Sequence, residues 1–202
     1  KWAAQTALEH PDVWATVALH PNAAAHDTDL ENSLLAIAEL AKLPQVRGLG
    51  ETGLDYYRTE ESQAAAQHVS FRAHIDIARE VGKPAIIHDR DAHKDVIETL
   101  ETYGAPETVV FHCFSGDAEM AKVCAQAGWY MSIPGVVTFK NAQQLRDAVL
   151  EIPDHLLLVE TDSPFLTPAP NRGQANSSTN IPWTVRAICV VRGQSEKEIC
   201  EL

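Results

Sequence analysis

QVRGLGETGLD, residues 45–55, reads as a short buried strand, Val46 to Glu51, that ends in a carboxylate set among glycines. Three later segments share that plan. PAIIH (84–88), TVVFH (108–112) and LLLVETD (156–162) each close an apolar run with a group able to ligate a divalent cation. Strand ends in a barrel meet at one mouth, so these groups would gather there despite their separation along the chain.

Outward from these segments, strand and helix alternate. Residues 2–9 have the composition of a helix, and Val13 to Leu19 is a strand running into His20-Pro21. Asp29 to Leu40 places Leu30, Leu34, Ile37 and Ala38 on one stripe of a helix. A long helix from Ser62 to Val81 should stop at Gly82. Helices follow at Asp91–Thr102, Ala118–Ala127, Asn141–Leu150 and Trp183–Val191, with strands at Trp129–Ile133 and Leu156–Glu160. Pro164 to Ser178, rich in proline, should be a loop across the mouth.

Such alternation means parallel strands covered by helices. No glycine-rich dinucleotide loop follows any strand, which favours a TIM-like (β/α)8 barrel over a doubly wound sheet. Only six strands are visible. Residues 1–202 are therefore expected to form a single barrel domain, incomplete at the N-terminus, with about 50 to 60 residues and the first two strands missing.

The chain carries a formal charge of −12, so a polyanionic ligand would need local cations or metal ions to hold it. No run approaches the length of a membrane span, and no cleavable leader is evident, so a cytoplasmic, non-membrane protein is expected; a monomer is a separate expectation that these features do not decide. Cys113, Cys124, Cys189 and Cys200 lack the close spacing of a zinc knot and are expected as thiols, mostly buried.

Glu51 has the chemistry to bridge two cations, which neither an imidazole nor an amide does well. Asp55 reads as a loop-shaping acceptor, with Tyr56 and Tyr57 as packing or substrate-stacking groups. His88 and His112, at equivalent places in successive units, would be awkward as plain core residues because each ring needs both nitrogens satisfied. Period-2 alternation sends Glu160 and Asp162 to one side, with Asp162 nearer the mouth, suited to hold a metal and take a proton from water. Glu160 is then either an outer partner of the ligands or a buried structural group.

In this order, GETGLDYY, PAIIHDRDA, HCFSG, GWYMSIPGVVTFK, LLVETDSPFLTPAP with Arg172-Gly173, and IPWTVRAI resemble the TatD family of metal-dependent deoxyribonucleases, within the amidohydrolase superfamily, from about Val13 to Arg192. The resemblance implies a barrel with two divalent metal ions, Zn, Mn, Ni or Mg. It puts the bridging glutamate at Glu51, the second metal's histidines at His88 and His112, and the first metal's aspartate at Asp162. It also implies a His-x-His pair on the first strand, which does not occur in these 202 residues. His20, a motif position near the mouth in relatives, is not that pair. The chain alone is thus expected to hold the first metal weakly and to be poorly active. Asn171 stands where relatives usually have an aromatic, and the usual closing helix would follow Leu202.

By the same resemblance, the expected reaction is hydrolysis of DNA by metal-activated water, with Glu51 and Asp162 catalytic and single strands digested from the 3′ end. Arg90, Lys140 and Arg172, all on expected mouth loops, are candidate phosphate clamps, and Ser115 a further donor. Competing readings are hydrolysis of another ester or amide, such as D-aminoacyl-tRNA, and a non-catalytic scaffold.

Overall fold

The structure, a computed structural model, describes the backbone of residues 1–202 and every side chain except those of Glu61 and Ser62. It is an α/β fold of six strands alternating with helices. The chain divides into two compact units, residues 1–110 and 111–202.

In the first unit, α1 (Trp2–Glu9) precedes β1 (Ala15–Val17), α2 (Pro21–Ala24), α3 (Leu30–Ala41), β2 (Val46–Asp55), α4 (Glu61–Val81), β3 (Ala85–Arg90) and α5 (His93–Thr99). The strands run parallel, β1 beside β2 and β2 beside β3. Helix α4 packs on β2, and its apolar stripe, Phe71, Ile75 and Ala78, is fully buried, as are Leu49, Leu54 and Ile87 of the strands. Burial of each large side chain contributes about 2 kcal/mol, so this layer holds the strand ends rigidly. Helix α5 is shorter than its sequence suggests, because the chain passes at Leu100–Gly104 into a wider π turn.

Strand β2 corrects one expectation. Glu51 is interior to the strand, which continues four residues to Asp55. The pairing explains why. Leu49 faces Ala85 and Thr52 faces Ile87, so Gly50 and Glu51 together oppose Ile86 in a bulge that re-aims the glutamate. A Cβ on Gly50 would stand 2.3 Å from that of Ile86, and one on Gly53 (φ 138°) would stand 2.1 Å from the His88 carbonyl oxygen. Only glycine lets the two strands approach this closely.

Strand β4 (Val109–Phe111) begins in the first unit, where Ala85 N–H donates to Thr108 O, and ends in the second. The second unit continues with α6 (Ala118–Gln126), β5 (Tyr130–Ile133), α7 (Gln143–Glu151), β6 (Leu157–Val159), α8 (Ile181–Arg192) and α9 (Glu196–Cys200). β5 and β6 run parallel. Phe111, Phe114, Trp129, Met131, Ile133, Val149 and Ile188 are buried as its core, the Phe111 ring lying against both Phe114 and Trp129. Residues 164–177 form the expected loop. Cys124 and Cys189 are buried thiols, Cys113 is half-buried, and Cys200, on α9, is exposed. Among the described residues, no helix is long and apolar enough to cross a membrane.

Candidate metal centre

The first unit builds its cluster on β2, β3 and the segment after β1. His88, level with Gly53 on β3, is held between two carboxylates: Nδ1 lies 3.4 Å from Glu51 Oε2 and Nε2 lies 3.1 Å from Asp55 Oδ2. Asp55 decides the tautomer. Its side chain is 1% exposed and accepts from Asn22 Nδ2 and from the backbone N–H groups of Tyr57 and Arg58. Burial pushes its pKa up, but the Arg58 N–H, the Asn22 amide and His88 together outweigh that and leave the carboxyl below its ordinary value. An ionised Asp55 only accepts, so His88 Nε2 carries the ring proton and Nδ1 keeps its lone pair toward Glu51. A carboxylate behind an imidazole in this way orients it as a metal ligand and raises its basicity.

His20 stands beside this pair, its ring centroid 4.4 Å from that of His88, and ligand atoms of His20, Glu51 and His88 all lie within 4.8 Å of one another. Two imidazoles and a carboxylate suit a divalent transition metal. His20 fits less well than the other two. As the N-cap of α2 it accepts the Asn22 N–H at Nδ1, so its neutral ring carries a proton on Nε2, the atom facing Glu51 at 4.0 Å. Ligation through Nε2 requires giving up that cap.

Two side chains of α4 hold this cluster from behind, and sequence reasoning overlooked both. Gln67 accepts the Asp55 N–H at Oε1 and donates to the Asp55 carbonyl through Nε2. His74 donates from Nδ1 to Ser70 O and accepts the Leu19 N–H at Nε2, fixing the backbone next to His20. Complete burial lowers the His74 pKa to about 4, so the ring is neutral. The signal for them was present: Gln67, Ser70 and His74 interrupt the apolar face of α4 at helical spacing, where a polar residue needs a fixed partner.

The second unit repeats the device with the nitrogens exchanged. His112 follows β4 and presents Nδ1 to Glu160 Oε2 at 3.0 Å, while Nε2 lies 3.8 Å from Asp162 Oδ1. Glu160 Oε2 also accepts the Cys113 N–H. The alternation expected to align Glu160 and Asp162 does not apply, because β6 ends at Val159; both reach His112 from irregular backbone. Cys113 (φ 47°) and Asp162 (φ 54°) are in the left-handed region, disfavoured for residues with a side chain and concentrated at functional sites.

Of the expected metal ligands, the first unit brings Glu51 beside His88, and the second brings His112 beside Asp162. Of the expected phosphate contacts, Arg90 in the first unit stacks its guanidinium 4.0 Å over the exposed ring of Tyr57, whose N–H bonds Asp55. In the second, Ser115 lines a cavity of about 250 Å³ with Cys113, Phe114 and Pro134, and Lys140 and Arg172 line another of about 300 Å³.

A family model described as TatD related DNase matches residues 1–202. The chain is 44% identical over 206 residues to a Mycobacterium tuberculosis protein named uncharacterized metal-dependent hydrolase TatD, covering 98% of this chain and 76% of that one. It is 40% identical to the Bacillus subtilis metal-dependent hydrolase YabD, covering 96% and 75% respectively. Among solved structures, the TatD homologue YJJV of Escherichia coli K12 superposes with a TM-score of 0.90 at 26% identity, over 99% of this chain and 77% of that one. A TatD-family hydrolase of Entamoeba histolytica shares the fold, with a TM-score of 0.85 at 20% identity over 98% and 76%.

Proposed function

The chain belongs to the TatD-related DNase family of metal-dependent hydrolases, and from that premise we propose that it hydrolyses phosphodiester bonds of single-stranded DNA, releasing mononucleotides from the 3′ end. The observation that carries this reading is the repeated device of an imidazole fixed by one carboxylate and turned toward another, at His88 and again at His112. On this reading Glu51, His88, His112 and Asp162 would together supply ligands to a pair of divalent ions, Zn, Mn, Ni or Mg. When bound, such ions lower the pKa of water and neutralise charge developing on the phosphoryl oxygens.

The protein's own groups do the rest. Asp55 and Glu160 hold the two imidazoles in the tautomers that face the metal ligands. Asp162 accepts the proton of the water whose oxygen attacks phosphorus; the P–O3′ bond breaks, and the departing oxygen takes a proton from solvent. Arg90, Lys140, Arg172 and Ser115 bind phosphate oxygens of the strand, by charge or by hydroxyl donation, which an acidic protein needs to retain a polyanion. The protein acts as a cytoplasmic monomer.

The test is release of nucleotides from 5′-labelled single-stranded DNA by the full-length protein with Mn²⁺ or Zn²⁺, with and without EDTA. Stepwise shortening from the 3′ end, abolished by EDTA and by Asp162→Asn, is expected. Turnover of D-aminoacyl-tRNA with no shortening of DNA would replace the nuclease reading by an ester-hydrolase one.

A further inference from the structure

The second unit contains a cavity of about 300 Å³ lined by Thr138, Phe139, Lys140, Asn141, Ala169 and Arg172. No carboxylate is among these residues, in a protein of formal charge −12. Among the described residues neither Lys140 nor Arg172 has a carboxylate within ion-pair distance. Two cations unneutralised by the protein are thus concentrated on one concavity.

Its walls are held in place. Arg146 on α7 donates to three carbonyls of the loop that carries Lys140, at Val137 O (3.1 Å), Phe139 O (2.7 Å) and Lys140 O (3.3 Å). Thr138 Oγ1 donates to Gly135 O and accepts the N–H of Ala169, tying that loop to the opposite wall. Arg172 donates to Thr167 O, and its guanidinium lies 3.7 Å over the Phe139 ring, so its plane is fixed while further N–H donors remain. A ligand entering here meets ordered donors and bears little of the usual cost of ordering a loop.

The charge, donor set and size select the ligand. An ammonium, a guanidinium with donors to spare and an amide match a phosphate, and a cavity of this volume lies at the small end of ligand sites, nearer one nucleotide than an extended partner. None of its lining residues bonds His112, Glu160 or Asp162. We propose that the cavity between Lys140 and Arg172 grips a phosphate of single-stranded DNA other than the one undergoing hydrolysis, so that the strand is held at a second point. This rests on the nuclease reading and adds to it a place where strand length matters.

The test is a binding measurement that needs no catalysis. Fluorescence anisotropy of a labelled dT12 strand, in EDTA, is recorded from 50 to 200 mM salt for the full-length protein, Lys140→Gln, Arg172→Gln and the double variant. Each removed cation should lower the magnitude of the slope of log K against log salt by about 0.7, and the pair by about 1.4. Lys197→Gln, on α9, should leave the slope unchanged. If Arg172→Gln fails to fold, Lys140→Gln still decides, since its side chain is exposed. A double variant, or Lys140→Gln alone, with the wild-type slope and affinity would overturn the proposal. That result in a protein that still shortens DNA leaves the nuclease reading standing. Conversely, a wild type that releases no nucleotides, yet loses slope on substitution, keeps the grip and removes the nuclease.

Discussion

His88 and His112 are placed alike and supported differently. Each ring has an orienting carboxylate on one nitrogen and a candidate ligand carboxylate toward the other, but the roles of Nδ1 and Nε2 are interchanged. Around His88 the orienting group, Asp55, is 1% exposed and takes four donors, on a strand pair locked by glycines. Around His112 the orienting group, Glu160, accepts two donors through Oε2, while its Oε1 is buried without a hydrogen-bond partner, and the neighbouring backbone is left-handed at Cys113 and Asp162. The difference lies in the two orienting carboxylates: Asp55 is met by four donors, whereas Glu160 leaves one buried oxygen without a hydrogen-bond partner. A buried acceptor in want of a partner costs stability. The same chemistry therefore rests on one orienting carboxylate that is fully bonded and one that is not.

The largest effects should come from the ligands themselves. Glu51→Gln and Asp162→Asn should each lower metal-dependent hydrolysis by more than about 100-fold, the upper end of what losing an outer partner costs, without a change in melting temperature. Equal, small losses would mean that neither carboxylate holds a metal. The next effect separates the two supports. Asp55→Ala strands the Asn22 amide and the N–H groups of Tyr57 and Arg58 and should destabilise the protein by about 3 kcal/mol, read from urea unfolding.

Acid probes the first support through His74. Its folded pKa, about 4, lies below the 6.5 of an unhindered ring, so below pH 6.5 the unfolded chain takes up a proton that the folded ring refuses. Stability from this group is complete above pH 6.5 and is lost as pH falls from there through 4. The loss is roughly 3 kcal/mol, and a His74→Gln variant should show a flatter dependence of its urea midpoint on pH over that window. A wild-type midpoint with no pH dependence there would show that His74 is not buried and neutral. Smallest of all is Glu160→Gln. It should weaken metal binding about tenfold and leave stability nearly unchanged, because the amide oxygen can still accept from His112 and Cys113 while the other oxygen has no bond to lose. A loss of stability as large as that of Asp55→Ala would erase the contrast between the two supports.

The alternation of elements, and the candidate ligands His88, His112, Glu51 and Asp162, were legible because apolar runs ending in a polar group are written in consecutive residues. What escaped notice depends on register and on three-dimensional partners. The bulge at Gly50-Glu51 arises only when β2 meets Ile86, so the sequence read the end of the apolar run as the end of the strand. Helix α2 is four residues long, too short for a periodic signal, and so His20 as its cap was invisible. Asp55 was read as a loop-shaping acceptor, which is half right: it takes the N–H groups of Tyr57 and Arg58, and it also sets the tautomer of a histidine 33 residues away. Glu160 was left open between two roles, and its contact with His112 Nδ1 favours that of an outer partner.

Anomalous diffraction from crystals of the protein grown with Mn²⁺ or Zn²⁺ tests the central claim most directly. The account predicts bound ions at about 2.0–2.2 Å from His88 Nδ1, from His112 Nε2 and from oxygens of Glu51 and Asp162, with Asp55 and Glu160 still on the opposite nitrogens. An ion on His88 Nε2 or His112 Nδ1, or no ion at any of these ligands at millimolar metal, would contradict it.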